Sequence, residues 1–429
     1  MSDNRILDYD VIVIGGGPAG ATAATLVADA GYRVLLAERN DGPVFKIGES
    51  LMPATYWSLE RLGVLERMNE SAFPKKYSVQ FFNRHGKGAS PFYFFESDDH
   101  VSSQTWQVER SQFDGMLLDN ARDKGVDVRF SSPAKDVLFD GDRACGVRLE
   151  LDGGEARDVS CRAVIDASGQ RALLSRKLRI KQDHPCLRNA SYFTHFAGAK
   201  RDEGLDEGAT LILHTENQDS WFWFIPLPGD VVSVGVVGYV DYLLKGRPAD
   251  PQRVFDEELA KCPALHPRLE GARQLREVRV LKDFSYLSDQ MAGDGWLLAG
   301  DAFGFLDPIY SSGVFLAMRS GEVAADALLA GFAEGDLSAA SLRRHEAEYV
   351  AGMTAIRRLV YAFYDKGFSF ARFLKRFPDC REPVVDLLVG NVYRKPVDHL
   401  ITALDAFQGR GAGAPVAKSA RASAPPSPA

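Results

Sequence analysis

Apolar positions along the chain fall into three kinds of run. Residues 10–14, Asp-Val-Ile-Val-Ile, form a short β-branched block without alternation, the mark of a strand covered on both faces. Similar blocks occur at Tyr32–Ala37, Val164–Asp166 and Trp296–Asp301. Alternating runs occupy Thr210–Leu213, Trp221–Pro226 and Val231–Val240 and predict antiparallel strands. Helical spacing is expected over Ala21–Ala28, Tyr56–Asn69 and Val314–Leu328 (the last amphipathic), and over most of 337–407. Residues 409–429 are rich in Gly, Ala, Ser and Pro, show no period, and predict a disordered tail.

Composition narrows the classes. The 429 residues are 45% hydrophobic and 25% charged, which suits an ordinary globular protein of two or three units. With 51 Lys+Arg against 58 Asp+Glu the net charge is −7, which argues against nucleic acid as a partner. No run is long and apolar enough for a membrane span, and the start lacks signal-peptide features, so a cytoplasmic location is expected. Cys145, Cys161, Cys186, Cys262 and Cys380 are scattered and show no metal-ligand spacing, so no metal is expected.

The first β-branched block runs into Gly15-Gly16-Gly17-Pro18-Ala19-Gly20 and then the alanine-rich helix, which puts GxGxxG in its required strand–turn–helix setting. Gly15 permits the turn, Gly17 admits a pyrophosphate, and Gly20 allows close helix–strand packing, with Ala19 at the helix start. Glu38, 18 residues beyond Gly20 and followed by Arg39, is placed to accept ribose hydroxyls and to disfavour a 2′-phosphate. Asp166 with Gly169, and Gly300 with Asp301, end two further strands, and these three strand ends would meet in one crevice.

This triple pattern resembles the FAD-binding fold of the para-hydroxybenzoate hydroxylase type. Val108-Glu109-Arg110-Ser111-Gln112-Phe113-Asp114 is similar to the segment that brings an Arg near the flavin in that group; Arg110 and Asp114 also have the spacing of a plain helix pair. The fold class expected is therefore α/β (α+β): a Rossmann-like FAD domain of the group A monooxygenase type, discontinuous over 1–75, 106–190 and 286–335. A mostly antiparallel substrate-side sheet is inserted at 76–105 and 191–285, and a helical region follows at 336–408.

Three segments resemble flavin-dependent halogenases more narrowly. Trp221-Phe222-Trp223-Phe224-Ile225-Pro226 matches the family's WxWxIP. Trp221, Trp223 and Ile225 share one strand face and Phe222 and Phe224 the other, with Pro226 expected to stop the ladder. The resemblance makes this run a wall between flavin and substrate; plain sheet packing explains it too. Phe305, Pro308, Ser311 and Gly313 fit FxxPxxSxG, which implies a halide held by amides at Ser312 and Gly313; the same turn could hold only the flavin. Gly48-Glu49-Ser50-Leu51-Met52-Pro53 resembles the family's GES-xxP segment, which implies Glu49 and Ser50 at the cofactor, and Lys76, 26 residues beyond Ser50, stands where the family has its essential lysine, with Lys75 a competitor. Tyr310-Ser311-Ser312-Gly313 departs from the tryptophan-specific members and resembles the phenol and pyrrole types.

The resemblance implies an enzyme that receives FADH2 from a separate NADH-dependent reductase. With O2 and chloride or bromide, the flavin would yield hypohalous acid, which Lys76 would direct onto a phenol or pyrrole, free or carrier-tethered. An FAD-dependent aromatic hydroxylase is the first alternative, and a flavin reductase of isoprenoid double bonds the second. The stripe of Phe363, Phe368, Phe370 and Phe373 with Arg372, Lys375 and Arg376 reads as core, an active-site cap or a docking face for an acidic carrier.

Overall fold

In the computed structural model, residues 7–150, 154–184, 187–282 and 285–409 are described; nearly all of the expected tail lies outside them. A six-stranded sheet runs in the spatial order Ala292–Gly293, Trp296–Leu298, Ala163–Asp166, Val11–Ile14, Val34–Ala37, Asp127–Arg129. All pairings are parallel except at the Ala292–Gly293 edge. The four residues of Val11–Ile14 are buried, as their unbroken apolar run requires at the centre of a parallel sheet. Register sets Ile14 opposite both Asp166 and Ala37, and Asp166 opposite Leu298, so the carboxyl ends of four strands lie side by side.

The helix Pro18–Asp29 leaves the first strand and lies against a second helix, Ser312–Glu334. Their approach depends on Gly321, where a Cβ would stand 2.5 Å from the Ala19 carbonyl oxygen; Gly20 instead lets the first helix pack on its own turn, a Cβ there standing 2.0 Å from the Gly15 carbonyl oxygen. The amphipathic pattern expected for Val314–Leu328 is not what this helix uses. It is 23 residues long and buried around most of its circumference, because it is covered on several sides. The single helix expected over Tyr56–Asn69 is two, Thr55–Leu62 and Leu65–Glu70. Gly63 breaks it with φ +73, its N–H satisfying the carbonyls of Leu59 and Glu60.

The second large sheet is ordered Arg273–Gln274, Asn189–Ala197, Val231–Tyr239, Ser220–Leu227, Thr210–His214, Ser78–Phe82, Phe92–Tyr93, with Arg279–Lys282 also paired to Asn189–Ala197. It is antiparallel except where Thr210–His214 meets Ser78–Phe82. Trp221, Trp223 and Ile225 enter one apolar core and Phe222 and Phe224 another, as alternation requires. Pro226 does not stop the ladder: the strand continues to Leu227, with Pro226 opposite Val232. Proline is tolerated there because the other neighbour's pairing has ended at Leu211 opposite Phe224, leaving one flank free of ladder bonds.

Of the C-terminal helices Glu346–Phe363, Phe370–Arg376, Arg381–Val389 and Asp398–Phe407, the first two set Phe363 and Phe370 against the aromatic face of this sheet. The Phe370 ring lies 5.0 Å from Phe81 and 5.3 Å from Phe92, and Phe373 is buried against Phe407, so the phenylalanine stripe is largely core. Cys380 lies with Sγ 3.7 Å from His399 Nε2, which also bonds Asp379 Oδ2 at 2.7 Å; this grouping is invisible in the linear cysteine spacing. Among the described residues no helix is long and apolar enough to cross a membrane.

Candidate active site

The aligned strand ends open onto one cavity of about 480 Å³. Gly15, Gly17, Pro18 and Ala19 line it at the start of the first helix. Gly15 adopts φ +104, and a Cβ there would stand 2.4 Å from the Ala167 carbonyl oxygen, so the turn admits only glycine. Around Gly17 there is open space. The helix carries proline at its first turn, no acidic residue and no side-chain cap, which leaves its amides and positive dipole end for an anion. Such a cradle, empty of protein at its phosphate-sized centre, fits the pyrophosphate of FAD.

Glu38 and Arg39 line the same cavity. Glu38 is buried, and its carboxylate accepts from the amides of Gly16 (2.8 Å) and Asn40 (3.0 Å), which holds it at the turn with acceptor capacity to spare. Gly169, Gly300 and Asp301 are lining residues, and burial raises the Asp301 carboxyl to about 6 against the pull of Arg110 and Lys46. Asp166 is not at the cavity surface. It is turned back on its own loop, accepting from the amides of Ser168 (2.9 Å) and Leu174 (2.7 Å). Gly20 likewise serves packing. Arg110 forms the helix pair, binding Asp114 through two bonds of 2.9 and 3.0 Å; it also donates to the Ile47 carbonyl at 2.7 Å and lines the cavity.

Phe193, Thr210, Ile212, Trp223 and Ile225 line the same cavity, as do Phe305, Pro308, Ser311 and Gly313. Trp223 is fixed by its indole N–H to Ser233 Oγ (3.1 Å) and lies flat on Gly235. Trp221 and Pro226 are not lining residues; Trp221 sits behind Trp223, ring centroids 6.4 Å apart, with Phe363 edge-on at 5.8 Å. The Trp221 indole N–H donates to the Tyr364 hydroxyl (3.1 Å), which donates to the Asp307 carboxylate. Asp307 also accepts from Asn189 (2.8 Å), and burial pushes its carboxyl up to about 7. The turn 305–313 is thus tied to the aromatic wall through Tyr364.

Ser311 takes φ +58 and starts the long helix, so Ser312 and Gly313 occupy its first turn, with no acidic residue and no side-chain cap there. Ser312 is buried and Gly313 faces the cavity under the Phe305 ring; a Cβ on Gly313 would stand 3.0 Å from that ring.

Lys76 lies outside the flavin cavity but one hydrogen bond from it. Strand Lys75–Lys76 pairs with Thr105–Trp106, exposing Lys75 and burying Lys76. Lys76 Nζ donates to Ser50 Oγ (2.9 Å) and to the Leu51 carbonyl (3.0 Å), with the Phe94 ring at 5.4 Å. Burial alone brings its ammonium down to about 7. Ser50 lines the flavin cavity and bonds Thr210 Oγ1 (2.8 Å), which accepts from Gln107 Nε2 (2.9 Å). Thr210 and Gln107 carry no local motif; only the pairing of distant strands brings them here.

A cavity built this way is a dinucleotide site, and the family model described as FAD binding domain matches residues 8–354. The 1H-pyrrole-2-carbonyl-[peptidyl-carrier protein] chlorinase of Pseudomonas fluorescens is 29% identical over 92% of this chain and 91% of its own length. The corresponding brominase of Pseudoalteromonas luteoviolacea is 35% identical over 75% of this chain and 77% of its own. The solved flavin-dependent brominase Bmp2 superposes with a TM-score of 0.83 at 31% identity, covering 94% of this chain and 97% of that one. The protein is an FAD-dependent oxidoreductase, and the chain belongs to the flavin-dependent halogenases.

Proposed function

We propose that the protein uses FADH2, O2 and chloride or bromide to halogenate an electron-rich aromatic, with a pyrrole tethered to a carrier protein the favoured substrate and a phenol the second choice. Bound FAD, delivered reduced by a separate NADH-dependent reductase, supplies with O2 the oxidising equivalent that turns halide into hypohalous acid. Amides at Ser312 and Gly313 hold the halide at the positive end of a 23-residue helix. Trp223 and Ile225, backed by Trp221, exclude the aromatic substrate from the flavin. Ser50 hands the hypohalous acid to Lys76, which orients it by hydrogen bonding or takes the halogen on Nζ.

The observation that carries this reading is the position of Lys76 Nζ: buried, without a carboxylate partner among the described residues, and bonded to a hydroxyl that itself lines the flavin cavity. A structural lysine at that depth would be expected to carry an ion-pair partner. The substrate class is supported by the two carrier-pyrrole halogenases among the relatives and by the Tyr310-Ser311-Ser312-Gly313 run. To test it, purified protein is given reduced FAD, O2, bromide and a pyrrolyl carrier thioester or a phenol, and products are read by mass. Monobromination or polybromination supports the proposal; hydroxylated product alone, or turnover independent of halide, overturns it. Crystals soaked in bromide should show an anomalous peak at the amide of Gly313.

A further inference from the structure

The reaction proposed above takes up one proton per halide: FADH2 + O2 + X⁻ + H⁺ → FAD + HOX + H2O. The wall of the flavin cavity contains a pair that the steps above do not use. Glu49 lines that cavity and is 1% exposed. Its Oε1 lies 2.7 Å from Nε2 of His195, itself buried on strand Asn189–Ala197. His195 in turn lines a separate, half-open cleft of about 400 Å³ with Glu109, Gln112, Leu227, Pro228 and Arg276. The two side chains together therefore reach from one cavity to the other.

We propose that His195 and Glu49 form a proton relay from the solvent cleft to the flavin cavity. Glu49 selects the imidazole tautomer with hydrogen on Nε2, which leaves Nδ1 as the atom that accepts. A proton taken at Nδ1 from the cleft releases the Nε2 proton to the Glu49 carboxylate, and the protonated carboxyl donates it into the cavity. One proton enters and one leaves, and the pair is reset when the ring regains its Nε2 tautomer. The Phe45 ring packs edge-on against the imidazole, centroids 4.8 Å apart. The charged groups facing the pair are Arg110, on the Ile47 carbonyl beside it, Glu109 and Arg276 at the cleft, and Arg279, which like Arg276 lies against the Phe45 ring. A hydrogen-bonded pair kept only for stability would gain nothing from bridging two cavities, and an apolar pair of the same volume would serve as well.

The use of the proton rests on the halogenase reading, but its route does not, so the test needs no halide. Anaerobic, reduced holoenzyme is subjected to a pH jump, and the flavin absorbance is followed as it gains a proton. In His195→Ala the relaxation should slow by about tenfold or more, with the FAD dissociation constant from fluorescence quenching unchanged within about twofold. Added imidazole, entering through the cleft, should restore it. His195→Gln keeps a donor to Glu49 and fills the space; it should be equally slow and should not respond to imidazole. Wild-type relaxation in either variant, or slowing in His195→Ala that imidazole leaves untouched, overturns the relay. Failure of the halogenase reading would appear differently, as absence of halogenated product in the wild type while relaxation still depends on His195.

Discussion

Lys76 carries a cost that can be measured apart from catalysis. Its ammonium is favoured in the unfolded chain up to the ordinary lysine range near 10.5 but in the fold only up to about 7. Between those pH values the unfolded state binds more protons, so stability rises with pH across that window and is lowest below 7. Urea unfolding at pH 6.5 and 9.5 should show this rise in the wild type and a smaller one in Lys76→Met. For activity, the same displacement supplies free amine near neutrality, and halogenation should climb through about pH 7. Lys76→Ala should make no halogenated product while flavin reoxidation continues; retained product would remove Lys76 from the chemistry. In the sequence the family resemblance picked Lys76 but periodicity left Lys75 as a competitor, because alternation reports which residues share a face and not which face is covered. Asp166 shows the converse: a strand-end acid spaced like a cofactor ligand is consumed by two amides of its own loop.

At the scale of elements, the Trp strand depends on a glycine in its neighbour. Gly235 stands opposite Trp223, and a Cβ there would lie 2.3 Å from the indole. Gly235→Ala should destabilise the fold by about 1–3 kcal/mol through overpacking, read as a lowered denaturant midpoint, and should displace the wall as well. Peroxide released per flavin oxidised should then increase relative to halogenated product. The strand–turn–helix at residues 11–29 was legible because every local signal agreed. Pro226 misled because one edge of the ladder had already ended, and the long helix misled because it is buried on several sides; neither condition is local. Thr210, Gln107 and His195 were unreadable for the same reason, each being brought to the site by a partner strand far along the chain.

At the scale of the molecule, the flavin cavity draws lining residues from both large sheets and from the helix at 312–334, so the cofactor should act as a keystone. FAD at about 100 times its dissociation constant should add about 2.7 kcal/mol of stability, seen as one shifted thermal transition. Gly15→Ala should abolish that shift, since the φ +104 turn and the Ala167 carbonyl both refuse a methyl group.

The parallel sheet also imposes an order of events on synthesis. Its strand Trp296–Leu298 pairs with Ala163–Asp166 across more than a hundred intervening residues, and the helix that completes the cavity begins only at Ser312. A nascent chain therefore exposes the glycine turn and its buried strands long before the partners that cover them have left the ribosome. Assembly of the cofactor site is a late, high-contact-order event. Chains arrested before residue 296 should neither retain FAD nor resist protease, and expression at lower temperature, or with chaperones that shield unpaired strands, should raise the yield of flavin-loaded protein.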